Sequence, residues 1–145
     1  MAYVVQDPQA LLDRRHELEL ARTIVNDTLH SVAQSVGELR WQGNTANRVK
    51  SSLVADTNDL IHILGDLDAA IHAIENHRGW CFAQRDELKK YENRIIRWIS
   101  HFNSLPAEQQ ATIPVKPGNL NPLPAPFSTR WRELAAILRR NRVAF

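Results

Sequence analysis

The chain has 145 residues, of which 43% are hydrophobic and 23% are charged. These values are ordinary for a globular protein with one core, and the length excludes a large multidomain enzyme. The formal net charge is only +2, but residues 1–104 hold 12 basic and 14 acidic side chains, whereas residues 129–145 hold 5 and 1. The basic excess therefore lies in the C-terminal tail.

Cys81 is the single cysteine, so it cannot form an internal disulfide. No Cys/His cluster at zinc-ligand spacing accompanies it, and we predict neither a metal nor a cofactor. The first residues lack the apolar core of a Sec-type signal peptide, and no stretch approaches 18 apolar residues. We expect no membrane span, and either a cytoplasmic protein or one exported without such a leader.

The first element begins near Asp7 and Pro8, a capping carboxylate followed by a proline suited to a first helical turn. Residues 9–105 contain no proline, which leaves room for very long helices. Apolar residues then recur every seven positions, a spacing typical of a coiled-coil seam. The seam consists of Leu11, Leu18, Val25, Val32 and Leu39. The pattern predicts a helix of about 33 residues, roughly 50 Å long.

A second seam after residue 43 predicts a second helix of similar length. Its residues are Ala46, Leu53, Leu60, Leu67 and Ile74. Between the seams, Gly43 can adopt a positive φ, and Asn44 or Thr45 can cap the next helix. Because so short a connection makes the helices antiparallel, the sequence predicts a long antiparallel helical hairpin.

Past the second seam, Gly79 either ends the second helix or lies inside one longer helix. Apolar and aromatic residues then repeat at spacings of three and four. They are Leu88, Tyr91, Ile95, Trp98 and Phe102. This repeat predicts a third helical segment that ends near Ser104.

The remaining residues predict a proline-rich strap and a short basic helix. Six of the seven prolines lie between residues 106 and 126, so residues 105–128 are predicted to be extended. Residues 129–145 predict an amphipathic helix with Trp131, Leu134, Ala135 and Leu138 on one face. The predicted fold class is all-α, with a helical hairpin or bundle over 1–104, a linker over 105–128 and a basic helix over 129–145.

Catalytic chemistry has little support in the sequence. Asp68, His72 and Glu75 share a helical face at spacings suited to a weak metal site. We interpret them as the solvated face of an amphipathic helix, because charged residues opposite an apolar seam are what such a helix requires. We therefore predict no catalytic residues, no metal and no enzymatic activity.

Flanking apolar residues predict a partner. A single hairpin buries one seam and leaves neighbouring apolar positions exposed, which indicates a surface for another protein. These positions are Val36, Val54, Ile61 and Ile63.

The basic tail supports an alternative function, a helical nucleic-acid-binding or adaptor module. Its arginines are Arg130, Arg132, Arg139, Arg140 and Arg142. Arginines of this kind contact phosphates, but an acidic partner protein or plain solvation explains the same charge.

Trp41-Gln42-Gly43 lies between the two seams, where glycine permits a reversal and a large aromatic residue covers the open end of a hairpin. Over about residues 7–78, this arrangement resembles the WXG (Trp-x-Gly, early-secreted-antigen-like) family of helical hairpins carried by bacterial type VII, or ESX, secretion systems. The resemblance implies pairing of hairpins into a four-helix bundle, export as a folded dimer and no enzymatic activity. The partner is then another WXG-like hairpin, a secreted effector or a second copy of the chain.

Two features depart from the family pattern. Members are typically about a hundred residues long, and this chain is longer. The family's export signal, Tyr-x-x-x-Asp/Glu after the second helix, is replaced by Phe82 and Asp86, while Tyr3 and Asp7 fit the pattern at the wrong end. Either Phe82 and Asp86 form a variant signal, or the partner supplies it, or the chain stays inside as an adaptor. The resemblance implies a protein that is cytoplasmic before export and then secreted or associated with the cell envelope.

Overall fold

The computed structural model describes residues 1–38 and 43–145, and 80% of them are helical. No strand occurs in this part of the chain, so the predicted all-α class is confirmed. The helices are α1 (Pro8–Glu38), α2 (Asn44–Ser104), α3 (Ala107–Thr112) and α4 (Arg130–Arg140), with a 3-10 helix at Pro117–Leu120 between α3 and α4. Trp41 of the predicted turn lies outside the described residues.

The chain divides into two compact units. The paired-helix unit is Pro8–Arg78, which contains α1 and the first part of α2. The C-terminal unit consists of Met1–Asp7 and Gly79–Phe145. Each unit has its own pattern of contacts and burial.

Two ion pairs connect α1 to α2 within the paired-helix unit. Arg15 Nη1 lies 2.8 Å from Glu75 Oε1, and Arg22 pairs with Asp68. The partner number on α2 falls as the number on α1 rises, which is the register of antiparallel helices. Just before α2, Gly43 has a φ of 107°, a conformation that residues with a side chain rarely adopt.

The predicted third helical segment is not a separate helix. It is the C-terminal part of α2, which runs without a break through Gly79 for 61 residues. A glycine in a helix interior costs only about 1 kcal/mol relative to alanine, and no proline between residues 9 and 105 interrupts the helix. Of the two alternatives for Gly79, the longer helix is therefore the one observed.

The C-terminal unit has a well-buried core. α2 contributes Cys81, Leu88, Ile95, Trp98 and Phe102 to this core. α4 contributes Trp131, Leu134, Ala135 and Leu138, the four residues predicted to share one face. α4 itself is shorter than the predicted segment 129–145, because it ends at Arg140.

The N-terminal residues belong to this same unit. Val4 and Ser128 form an isolated antiparallel bridge, and Thr129 N donates to Tyr3 O at 2.8 Å. Val5 is 2% exposed.

Residues 105–128 are not extended throughout, contrary to the prediction. They contain α3 and the 3-10 helix, because their prolines lie at helix starts or outside helices. Pro106 precedes α3 and Pro117 is the first residue of the 3-10 helix, and at these positions a missing N–H costs no helical hydrogen bond. Lys116 Nζ donates to Ile113 O at 2.7 Å and so satisfies a carbonyl just after α3.

Candidate interaction surfaces

The paired-helix unit has almost no core of its own. Of its described residues, only Pro8, Leu11 and Ala46 are buried. The other described seam residues are half-buried: Leu18, Val25, Val32, Leu53, Leu60, Leu67 and Ile74. By contrast, twelve of the fourteen buried hydrophobic residues in the described part of the chain belong to the C-terminal unit. Two helices in contact cover each other's seams only partly.

The predicted partner residues do not form one patch. Val54 and Ile61 are 49% and 51% exposed and lie about two turns apart on one face of α2. Ile63 is 45% exposed but lies about two and a half turns from Val54, on the opposite side of the helix. Val36 is half-buried on α1.

Sequence reasoning missed two exposed residues on α1. Leu20 and Ile24 are 64% and 59% exposed and lie about one turn apart. Their spacing of four is typical of one helix face, but both fall outside the seven-residue seam. They add a second apolar strip to the paired-helix unit.

Two of the three residues of the weak metal hypothesis form ion pairs. Asp68 pairs with Arg22, and Glu75 pairs with Arg15, while His72 is exposed. The hydrogen bond and charge of Asp68 raise the pKa of Arg22 above its ordinary value. Within the described residues, no group of three or more His, Cys, Asp or Glu residues is placed to hold a metal ion. These charges link the two helices.

Phe82 and Asp86 lie one turn apart on the same face of α2. Phe82 is 53% exposed, and the Asp86 carboxylate is exposed beside Lys90, with Oδ2 2.9 Å from Nζ. The two residues of the candidate export signal are therefore accessible together on one face of α2.

The five tail arginines have different environments. Arg132 Nη2 lies 3.2 Å from Glu87 Oε2, which ties α4 to α2 within the C-terminal unit. The Arg139 guanidinium lies 5.4 Å from the centre of the Tyr91 ring. Arg130 is half-buried, whereas Arg140 and Arg142 are exposed. The tail is therefore not a single free basic cluster.

A basic site that sequence reasoning missed lies at the end of α2. Arg94, Arg97 and His101, together with Trp98, Ala144 and Phe145, line a cleft of about 230 Å³. A second cleft of about 270 Å³ shares Trp98, His101 and Ala144 and is also lined by Arg142. We call these two the basic clefts. No acidic side chain lines either of them.

No helix in the described ranges is long and apolar enough to cross a membrane. No protein-family model, curated protein or solved structure matches this chain. Any assignment of function therefore rests on the residues and geometry described above.

Proposed function

We propose that this chain is a non-enzymatic interaction protein in which residues 8–78 form an antiparallel helical hairpin that pairs with a second helical protein. The supporting observation is the half-buried seam. Leu18, Leu53 and their seam neighbours retain exposed apolar area that the two helices leave uncovered. Because hydrophobic burial is the dominant favourable term in folding, a further pair of helices would stabilise this unit as a four-helix bundle.

The exposed strips beside the seam give the partner additional surface. Leu20 with Ile24 and Val54 with Ile61 are large aliphatic side chains about half exposed or more. Exposed apolar side chains that lie on one helix face are suited to contact with another protein. The ion pairs Arg15–Glu75 and Arg22–Asp68 hold the two helices in register and leave these strips open.

We further propose that the pairing serves type VII secretion, with the chain as a substrate or export partner. The support is the resemblance at Trp41-Gln42-Gly43, the positive φ of Gly43 and the accessible pair Phe82 and Asp86. The proposed partner is another WXG-like hairpin, a secreted effector or a second copy of this chain. In this proposal the protein is cytoplasmic before export and then secreted or attached to the envelope.

Export is tested by tagging the chain in the bacterium that encodes it and comparing lysate with culture filtrate. We expect the unaltered chain in the filtrate, and we expect the Phe82→Ala/Asp86→Ala variant to accumulate in the lysate instead. The physical reason is that a recognition motif of two accessible side chains on one helix turn loses both contacts. The amount in each fraction is measured by immunoblot.

The matched control is Tyr3→Ala/Asp7→Ala, which removes the same spacing of an aromatic and an acidic residue at the other end of the chain. It should be exported like the unaltered protein. Retention of the unaltered chain in the lysate, or equal export from a strain whose type VII apparatus is disabled, would refute the secretion part of the proposal. Pairing through the hairpin is tested separately.

A further inference from the structure

Positive charge is concentrated in the part of the chain that contains the basic clefts. Residues 89–145 hold ten Lys and Arg against three Asp and Glu, whereas residues 1–88 hold eight against thirteen. Segregated charge of this size attracts a partner of opposite sign. The C-terminal part of the chain is therefore suited to a polyanion.

The basic clefts gather that charge on one helix face. Arg94, Arg97 and His101 are spaced by three and four residues, so they follow one another along α2 over about 10 Å. Arg142 reaches the adjoining cleft from the segment after α4. Successive phosphates of a nucleic acid strand are 3.4 Å apart along the axis, so the row of basic groups is long enough to contact more than one phosphate.

The arginines of the clefts differ from Arg85 and Arg132 of the same unit, which pair with carboxylates. Arg85 lies 3.1 Å from Asp7, and Arg132 lies 3.2 Å from Glu87. Within the described part of the chain, no carboxylate forms an ion pair with Arg94, Arg97 or Arg142. Their charges are therefore not neutralised by the fold.

The backbone at Arg142 gives a second, independent observation. Arg142 has a φ of 58°, and the cap of α4 is completed by Val143 N donating to Leu138 O at 2.9 Å and Arg142 N donating to Arg139 O at 3.0 Å. This left-handed position after a helix normally holds glycine, because a side chain is disfavoured there. An arginine at this point reduces stability, and strained residues of this kind concentrate at binding sites.

We propose that the basic clefts bind the phosphate backbone of single-stranded nucleic acid, with Arg94, Arg97 and Arg142 contacting phosphate oxygens. The guanidinium fork matches such oxygens in a bidentate way. All three arginines are exposed, so a contact between one arginine and one phosphate has little binding free energy in water. A strand contacts several arginines at once and releases counterions, which makes its binding stronger. The half-buried Phe145 ring at the cleft offers a surface for a base to stack on. Such stacking requires an unpaired base, so the proposed ligand is single-stranded.

The test is fluorescence anisotropy of the full chain with a labelled oligothymidylate of about 20 nucleotides, longer than a usual single-strand site. Binding should weaken with salt, with a log–log slope of about −2 to −3, as expected for three to four phosphate contacts at −0.7 each. Poly-L-glutamate at equal charge should displace the oligonucleotide poorly. Absence of binding at low salt, or equally tight binding of poly-L-glutamate, would overturn the proposal, the latter in favour of an acidic protein partner.

Two sets of variants locate the site. Arg94→Gln/Arg97→Gln should lose about tenfold or more in affinity, whereas Arg14→Gln/Arg48→Gln, with the same charge change in the paired-helix unit, should lose about twofold or less.

Arg142→Gly should bind several-fold more weakly while its melting midpoint rises by about 2 °C, because glycine relieves the left-handed strain. If both arginine double variants lose the same affinity for the oligonucleotide, the basic clefts are not its binding site. An Arg142→Gly variant that is more stable but binds with unchanged affinity would also overturn the assignment. If Arg94→Gln/Arg97→Gln fails to fold, Arg142→Gly and the polyglutamate competition still decide whether the basic clefts bind single-stranded nucleic acid.

Discussion

Replacing Trp131 by alanine is expected to lower the free energy of unfolding of the C-terminal unit by about 3–5 kcal/mol. Trp131 is 2% exposed, and its indole Nε1 donates to Ala125 O at 3.0 Å. The substitution leaves a large cavity in the core of the C-terminal unit and removes the donor to that carbonyl. Since whole domains are stable by only about 5–15 kcal/mol, the loss is a large part of the total.

Urea denaturation followed by near-ultraviolet circular dichroism measures this loss. The control is Trp80→Ala, the same substitution at a tryptophan of α2 that is 44% exposed, and it should cost less than about 1.5 kcal/mol. Equal losses in the two variants would show that α4 does not hold the core of this unit.

The double substitution Val54→Asp/Ile61→Asp is expected to weaken pairing of the hairpin at least about 100-fold, or roughly 3 kcal/mol. Both side chains are about half exposed in the isolated chain, so the substitution costs the chain itself little. In the proposed bundle they would be covered, and two carboxylates would then have to lose water without a partner.

Sedimentation velocity measures this effect on the complex formed with a second copy or with the partner recovered from cells. Ile96→Asp/Leu123→Asp is the matched control, because Ile96 and Leu123 are 44% and 42% exposed in the C-terminal unit. It should pair like the unaltered chain. If both double variants pair normally, the strip that contains Val54 and Ile61 is not part of the interface.

Local patterns were sufficient for some elements of the fold. The spacing of Trp131, Leu134, Ala135 and Leu138 identified the buried face of α4, because a short amphipathic helix has only one face to bury. The length of α2 does not follow from local patterns, because the residues around Gly79 are compatible both with the end of a helix and with its interior. The helices inside 105–128 do not follow from the number of prolines, because a proline at a helix start or outside a helix does not prevent helix formation.

The candidate sites show the limit of local patterns more clearly. The basic clefts combine residues of α2 with Arg142, more than forty positions later, and no local spacing connects them. In the same way, Arg132 was grouped with the basic tail, although Glu87 on another helix takes up its charge. Leu20 and Ile24 have helical spacing in the sequence, but they lie outside the seven-residue seam, so the seam does not predict their exposure.

Amide hydrogen exchange of the unaltered chain at low concentration tests the central claim, that residues 8–78 lack a core of their own and require a partner. We predict that α1 and the first part of α2 exchange much faster than Gly79–Phe145, since few of their side chains are buried, and that pairing slows them. Equal protection of Pro8–Arg78 and Gly79–Phe145 in a dilute sample that sediments as a 16.6 kDa monomer would contradict it.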